Sequence, residues 1–163
     1  MDLSIIEKLR NISLFEEIKD NDEYLETFLQ FCRIKKFPKN SVIIKEGDVG
    51  TEMYIARTGS VEIQKRTRAG DQYTVLRLDA GQNIFFGELA MIDDDKRSAT
   101  VITKEESEFL VITKKDFLEL GDENPSIGLP VTRAIAKIIA SRLRKTTMDM
   151  MTIFDALVQE IRT

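Results

Sequence analysis

Between Ser41 and Ile112 the chain is cut into six short β-forming runs, and this punctuation is the tightest constraint on how it folds. The runs are Ser41-Val42-Ile43-Ile44, Met53-Tyr54-Ile55-Ala56, Val61-Glu62-Ile63, Tyr73-Thr74-Val75-Leu76, Ala99-Thr100-Val101-Ile102 and Phe109-Leu110-Val111-Ile112. Between the first four and after the fourth lie Glu46-Gly47-Asp48, Thr58-Gly59-Ser60, Ala69-Gly70-Asp71 and Asp79-Ala80-Gly81, residue types that tolerate tight backbone reversal. Many short strands at this spacing build an antiparallel sandwich or barrel, and a jelly-roll barrel is the expected architecture.

Helical spacing flanks this region. Leu3, Ile6 and Leu9, then Leu14, Phe15 and Ile18, then Tyr24, Leu25, Phe28 and Leu29 recur at three- and four-residue steps, which predicts two or three short helices. The helical pattern returns at Asp116. From about Pro130 onward Ile135, Ile138, Ile139, Leu143, Met150, Ile153, Leu157 and Ile161 predict one long helix. Within it Leu143, Thr146, Met150, Ile153 and Leu157 follow the spacing of a coiled-coil seam, so parallel self-association into a homodimer is expected. Met148, Met150 and Met151 are read as filling that packing surface. The expected organisation is one α+β domain over residues 1–163, with N-terminal helices in 1–33, the β-barrel in 34–113 and C-terminal helices in 114–163.

With 163 residues, 42% apolar and 32% charged, the chain is expected to close one core. It contains no histidine, which removes Ser-His-Asp and Cys-His catalysis and every imidazole metal site. No catalytic residue and no metal ligand is therefore assigned, and a metal-dependent enzyme on a similar barrel is disfavoured. The single cysteine, Cys32, stands near Phe28, Leu29 and Phe31 and is read as a buried helical thiol. The formal charge of −4 argues against a nucleic-acid partner, which needs a basic face to displace counterions, but permits a local cationic pocket. Met1 to Arg10 lacks the apolar core of a signal peptide and no stretch reaches the length of a membrane span, so a cytoplasmic location without membrane contact is expected.

One segment carries chemistry: Ile84-Phe85-Phe86-Gly87-Glu88-Leu89-Ala90-Met91-Ile92, Asp93-Asp94-Asp95-Lys96, then Arg97-Ser98-Ala99-Thr100-Val101. A glycine closing a strand ahead of good helix formers presents free amides to a ligand and lets it approach the backbone. Arg97, opening the next strand, offers a planar fork suited to phosphate oxygens. Glu88 beside a phosphate makes sense if it accepts hydrogen bonds from a sugar hydroxyl while Arg97 neutralises the locality. The competing reading is purely structural: Glu88 favours a helix start and Arg97 pairs with one of the three aspartates.

From about Ser13 to Thr147 the order and spacing resemble the cyclic nucleotide-binding domain of the catabolite activator protein and of the regulatory subunits of protein kinase A. The resemblance lies in Leu14-Phe15, Ile44 with Glu46-Gly47-Asp48, Met53-Tyr54-Ile55 with Gly59-Ser60-Val61, and the cassette Phe86-Gly87-Glu88-Leu89-Ala90 with Arg97-Ser98-Ala99-Thr100-Val101, eight residues separating Glu88 from Arg97. The resemblance implies that Glu88 binds a ribose 2′-hydroxyl and Arg97 a cyclic phosphate. It implies that amides around Gly87, Leu89, Ala90, Ser98 and Ala99 complete the cradle. Thr146 and Thr147 match a Thr-Ser pair that reaches the purine, and Ile63 and Val75, on strands expected to face the core, are the implied apolar wall. The implied ligand is cyclic AMP, with cyclic GMP the other purine, and a downstream protein effector is left unidentified.

Three departures qualify the resemblance. Gln82-Asn83-Ile84-Phe85-Phe86 is longer than the usual cassette entry and is expected to bulge or lengthen. Asp93, Asp94 and Asp95 place negative charge beside an anion site unless they face solvent or pair with Lys96. The chain stops at Thr163, where transcription factors of the family continue into a helix-turn-helix domain, so DNA binding is not expected. Two readings follow: a non-catalytic cyclic-nucleotide sensor that signals through its long helix, or a degenerate version of the fold serving as a constitutive dimerisation or docking module.

Overall fold

The computed structural model describes residues 3–162; Met1 and Asp2, which open the segment expected to lack a signal peptide, and Thr163, the last residue of the expected domain, lie outside it. Helix α1 (Leu3–Arg10), a 3₁₀ turn at Ser13–Phe15 and helix α2 (Asp22–Gln30) open the chain. Asn21 caps α2, its side chain accepting from the Tyr24 amide at 3.2 Å. Strands β1 (Arg33–Phe37), β2 (Val42–Ile44), β3 (Glu52–Thr58), β4 (Ser60–Arg66), β5 (Gln72–Asp79), β6 (Phe85–Phe86), β7 (Thr100–Thr103) and β8 (Ser107–Thr113) follow, then α3 (Lys114–Glu123) and α4 (Pro125–Arg162).

The strands form two antiparallel four-stranded sheets, ordered β1-β8-β3-β6 and β2-β7-β4-β5. The architecture is α+β with a long C-terminal helix, but the expected barrel is not closed. The edges β1 and β6 of one sheet pair with neither edge of the other, and side-chain packing joins the layers instead. Strands β3 and β8 explain the continuous apolar runs. Tyr54, Ala56, Phe109 and Val111 face the inter-sheet core, while Met53, Ile55, Leu110 and Ile112 face a second core built with the helices. A strand covered on both faces has no polar face to alternate with.

Two strands escape the apolar-run criterion. β1 is an edge strand whose cations pair sideways, Lys35 Nζ with Glu52 Oε1 at 2.6 Å and Lys36 Nζ with Glu108 Oε2 at 3.2 Å. β6 is only two residues long, pairing Phe86 with Tyr54 and Phe85 with Ile55. Its Phe86 ring stacks on Tyr54 with centroids 5.4 Å apart, and Phe109 meets Phe86 edge-on at 5.5 Å.

Helix α4 begins at Pro125, five residues before the apolar pattern becomes regular, and runs through Pro130. Proline suits a first helical position, where its missing N–H has no intrahelical partner to lose. Gly128 then lets α4 cross α3 closely: a Cβ there would stand 2.4 Å from the Gly121 Cα. Beyond Ser141 the helix leaves the body, and Leu143, Met150, Ile153 and Leu157 are each more than half exposed. Cys32 lies just past the end of α2, half-buried, its thiol directed at the Phe28 carbonyl at 3.5 Å. Burial pushes its pKa up to about 12, with a smaller contribution from Asp116. Among the described residues no helix is long and apolar enough to cross a membrane.

Candidate functional site

The extra residues of the cassette entry are absorbed locally. Ala80–Gln82 form a 3₁₀ turn held by an Asp79/Gln82 capping box, Asn83 adopts a left-handed conformation (φ 54°), and the Ala56 amide donates to the Ile84 carbonyl at 3.0 Å. The chain thus enters β6 in register with β3. Gly87 follows at φ 81°, a conformation that disfavours any side chain, and a Cβ would meet the Glu52 carbonyl oxygen at 2.8 Å. Glu88–Met91 form a single 3₁₀ turn. The Ala90 amide, expected to be free, is taken by the Gly87 carbonyl at 3.2 Å. Among the described residues no bond occupies the Leu89 or Ser98 amides.

Glu88 is only 2% exposed. Its carboxylate is bonded to the guanidinium of Arg142, which stands on α4 and is itself more than half exposed. Arg97 is half-buried. It pairs with none of the three aspartates but donates through Nη2 to the Glu52 carbonyl at 2.6 Å and through Nη1 to the Gly87 carbonyl at 3.3 Å. Burial draws its pKa below the usual arginine value, opposed by the charges of Tyr54, Glu52 and Glu88. Because neutral carbonyls hold it, its positive charge is not cancelled at contact, and an arginine stays ionised in proteins.

The Glu52 side chain belongs to the same neighbourhood, accepting from Lys35 Nζ and from the Tyr54 hydroxyl, each at 2.6 Å. Burial raises the Glu52 pKa, but the Lys35 and Tyr54 hydrogen bonds and the positive charges of Lys35 and Arg97 outweigh it, leaving the carboxyl below its ordinary range. Tyr54 is pushed up, by burial first and by Glu52 second. A cleft of about 220 Å³ opens against Arg97 and is lined also by Lys45, Asp48, Gly50, Thr51 and Glu52. Glu88 does not line it.

The acidic turn faces solvent at Asp93, Asp94 and Asp95, and its partner is Lys114 at the start of α3, not Lys96. Lys114 Nζ donates to the Asp93 carbonyl at 2.8 Å and to Asp94 Oδ1 at 2.7 Å. Ile63 is half-buried at the rim of the inter-sheet core. Val75 is 50% exposed, contrary to its expected place on a core-facing strand, because β5 is an edge strand paired with β4 alone. Ser98 is exposed and Ala99 half-buried. Thr146 and Thr147 are exposed on α4, one turn beyond Arg142, and the Thr147 hydroxyl donates to the Leu143 carbonyl at 2.9 Å.

Arg142 is a site residue that composition and motif spacing do not single out. Its position four residues ahead of Thr146, on the same face of the helix, is the signal that marks it. Glu52 and Gly50 act through backbone and absence of a side chain, so residue type alone does not reveal them.

The family profile described as the cyclic nucleotide-binding domain matches residues 34–124, just over half of the chain. The cAMP-activated global transcriptional regulator CRP of Haemophilus influenzae is 34% identical over 133 residues, 81% of this chain and 58% of that protein. The Cyclic AMP receptor protein of Thermus thermophilus is 27% identical over 78% of this chain and 56% of its own length. The chain thus spans little more than half the length of these curated relatives. Among solved structures, the Thermus thermophilus Catabolite Activator Protein superposes with a TM-score of 0.77 at 25% identity, covering 86% of this chain and 62% of that one. A cAMP-bound PfPKA-R superposes with a TM-score of 0.64 at 27% identity, covering 72% and 40%.

The curated relatives are named as regulators and receptors, not as enzymes. One expectation is overturned: the exclusion of nucleic acid does not stand, because the curated relatives include transcriptional regulators. The net charge of −4 is a sum over 163 residues and carries no information about segments that such regulators hold beyond the matched region. By its profile match and by its identity to the Haemophilus regulator, the chain belongs to the cyclic nucleotide-binding domain family.

Proposed function

We propose that this protein is a sensor that binds a 3′,5′-cyclic nucleotide, with cyclic AMP favoured over cyclic GMP, and signals through α4. The observation that carries the reading is the Arg97 guanidinium, held half-buried by two carbonyl oxygens with its charge uncancelled, close enough to feel the buried Glu88 carboxylate. Arg97 receives the phosphate, Glu88 accepts from the ribose 2′-hydroxyl, and the Leu89 and Ser98 amides add donors. The preference for cyclic AMP is supported by the names of the relatives, which are cAMP-activated or cAMP-bound.

Signalling requires a ligand that interacts differently with two arrangements of the protein. The Arg142–Glu88 bond supplies that difference, since a ribose hydroxyl competes with Arg142 for one carboxylate and thereby bears on α4. Thr146 and Thr147, one turn further along, meet the base. The exposed stripe of Leu143, Met150, Ile153 and Leu157 then engages a second copy of the chain or a protein effector.

Calorimetric titration of cyclic AMP into the native chain and Arg97→Ala tests this. Removing a charged partner from a desolvated contact costs roughly 2–5 kcal/mol, a loss of about 30-fold to 4,000-fold in affinity. Equal affinities discard the phosphate role of Arg97. One observation favours the second reading, a degenerate docking module: Arg142 already occupies Glu88. No heat with either cyclic nucleotide at high micromolar concentration, together with a dimer by light scattering, supports that reading instead.

A further inference from the structure

We propose that Gly50 is the positioning residue for Arg97, and that the turn from Glu46 to Gly50 carries the arginine as one unit. This rests on the reading that Arg97 receives the ligand's phosphate. The turn grips the Arg97 backbone from both sides: the Gly47 amide donates to the Arg97 carbonyl at 2.9 Å, and the Arg97 amide donates to the Asp48 carbonyl at 2.8 Å. Beside them Val49 and Lys96 form an isolated β-bridge. The guanidinium then lies directly on the glycine. A Cβ on Gly50 would stand 1.7 Å from Arg97 Nε, 2.2 Å from Cζ and 2.5 Å from Nη2. Every residue type other than glycine therefore displaces the group, and Gly50 is the floor of its seat.

The remaining walls are the Glu52 and Gly87 carbonyls. Three contacts on one planar group fix its position and its plane before any ligand arrives, which lowers the ordering cost of binding. Gly50 is not among the residues with positive φ, so alanine there is compatible with the backbone. The clash falls on the far end of a flexible side chain, which moves aside without disturbing the fold. Gly50→Ala thus separates the seat from the rest of the structure.

The test uses the full chain in two measurements. In ¹⁵N-labelled protein the Arg97 Nε–H resonance, assigned by its loss in Arg97→Lys, is expected apart from those of solvated arginines and to move among them in Gly50→Ala, with the melting temperature held. Cyclic AMP is then titrated into the native chain, Gly50→Ala, Arg97→Ala and the double variant. Gly50→Ala is expected to weaken binding about tenfold in the native background and not at all when Arg97 is absent. An Arg97 resonance unmoved by Gly50→Ala, or equal losses in both backgrounds, overturns the proposal. A native chain that binds no cyclic AMP refutes the ligand reading, and the resonance alone then decides whether Gly50 seats the arginine.

Discussion

Removing the Arg142 side chain tests whether the tie between α4 and Glu88 holds the helix to the body. The Glu88 side chain is 3% exposed and Arg142 57% exposed, so the two ends of the pair differ in what their loss leaves behind. Arg142→Ala strands a buried carboxylate, a change that costs about 3–5 kcal/mol when both partners are buried. A fully exposed pair is worth only about 0.2–1 kcal/mol. With one partner in water and the other out of it, the expected loss is about 1–2 kcal/mol, which lowers the melting temperature of a chain this size by roughly 2–8 °C. Glu88→Gln removes the charge while keeping the shape and leaves Arg142 in solvent, so its expected cost is under about 0.5 kcal/mol. The assay is urea unfolding of the native chain, both single variants and the double. Arg142→Ala in the Glu88→Gln background is expected to cost less than about half of what it costs alone. Equal costs in the two backgrounds refute the argument, because the arginine then acts through something other than the carboxylate.

Three further outcomes follow from the packing and ionisation of the rest of the molecule. Glu17 accepts from Arg133 (2.5 and 3.0 Å) and from Lys137 (2.9 Å), whose hydrogen bonds hold its carboxyl at a pKa of about 2. A carboxyl depressed in the folded state stabilises above its unfolded pKa and loses that contribution as pH falls towards 2. Melting curves of the native chain and Glu17→Gln should therefore converge between pH 4.5 and 2, and parallel curves would show that the cluster contributes nothing. Gly128→Ala places a methyl 2.4 Å from the Gly121 Cα and should destabilise the α3–α4 crossing by about 1–3 kcal/mol in urea unfolding, whereas Gly121→Ala, with 4.0 Å to spare, should be tolerated. Cys32, half-buried and with its thiol held near a pKa of 12, should react with a disulfide reagent at pH 8 far more slowly than a solvated thiol, and labelling at the rate of a free cysteine would contradict the raised pKa.

Local chemistry was legible in the sequence wherever it depends on residue type and short spacing. The six apolar runs each became a strand, Gly47, Gly59 and Gly70 reverse the chain between the first four at positive φ while Thr58, Ser60 and Asp79 close or open the strands beside them, and the heptad stripe from Leu143 to Leu157 lies on one exposed helix. Gly87, Glu88 and Arg97 were marked by being costly or special where they stand: a glycine at a strand end, a carboxylate beside a cation, a cation ahead of a strand. Strand β1 was missed because its lysines look like surface until Glu52 and Glu108 are brought alongside from 17 and 72 residues away. Val75 looked like core because alternation reports a strand's two faces and not whether the strand lies at a sheet edge.

Sequence alone determined that the chain folds as short strands between helices, that it lacks imidazole chemistry, and that a carboxylate and a guanidinium stand nine positions apart around a glycine turn. Those properties follow from covalent neighbours and periodicity, which act over a few residues. The tertiary structure decided that two open sheets form in place of a closed barrel, that Arg142 on the last helix meets Glu88, and that Gly50 lies beneath Arg97. Each of these joins residues 45 or more positions apart or depends on which sheet edges meet, and no local preference encodes such a pairing; it is set by how the apolar faces of all elements are covered at once.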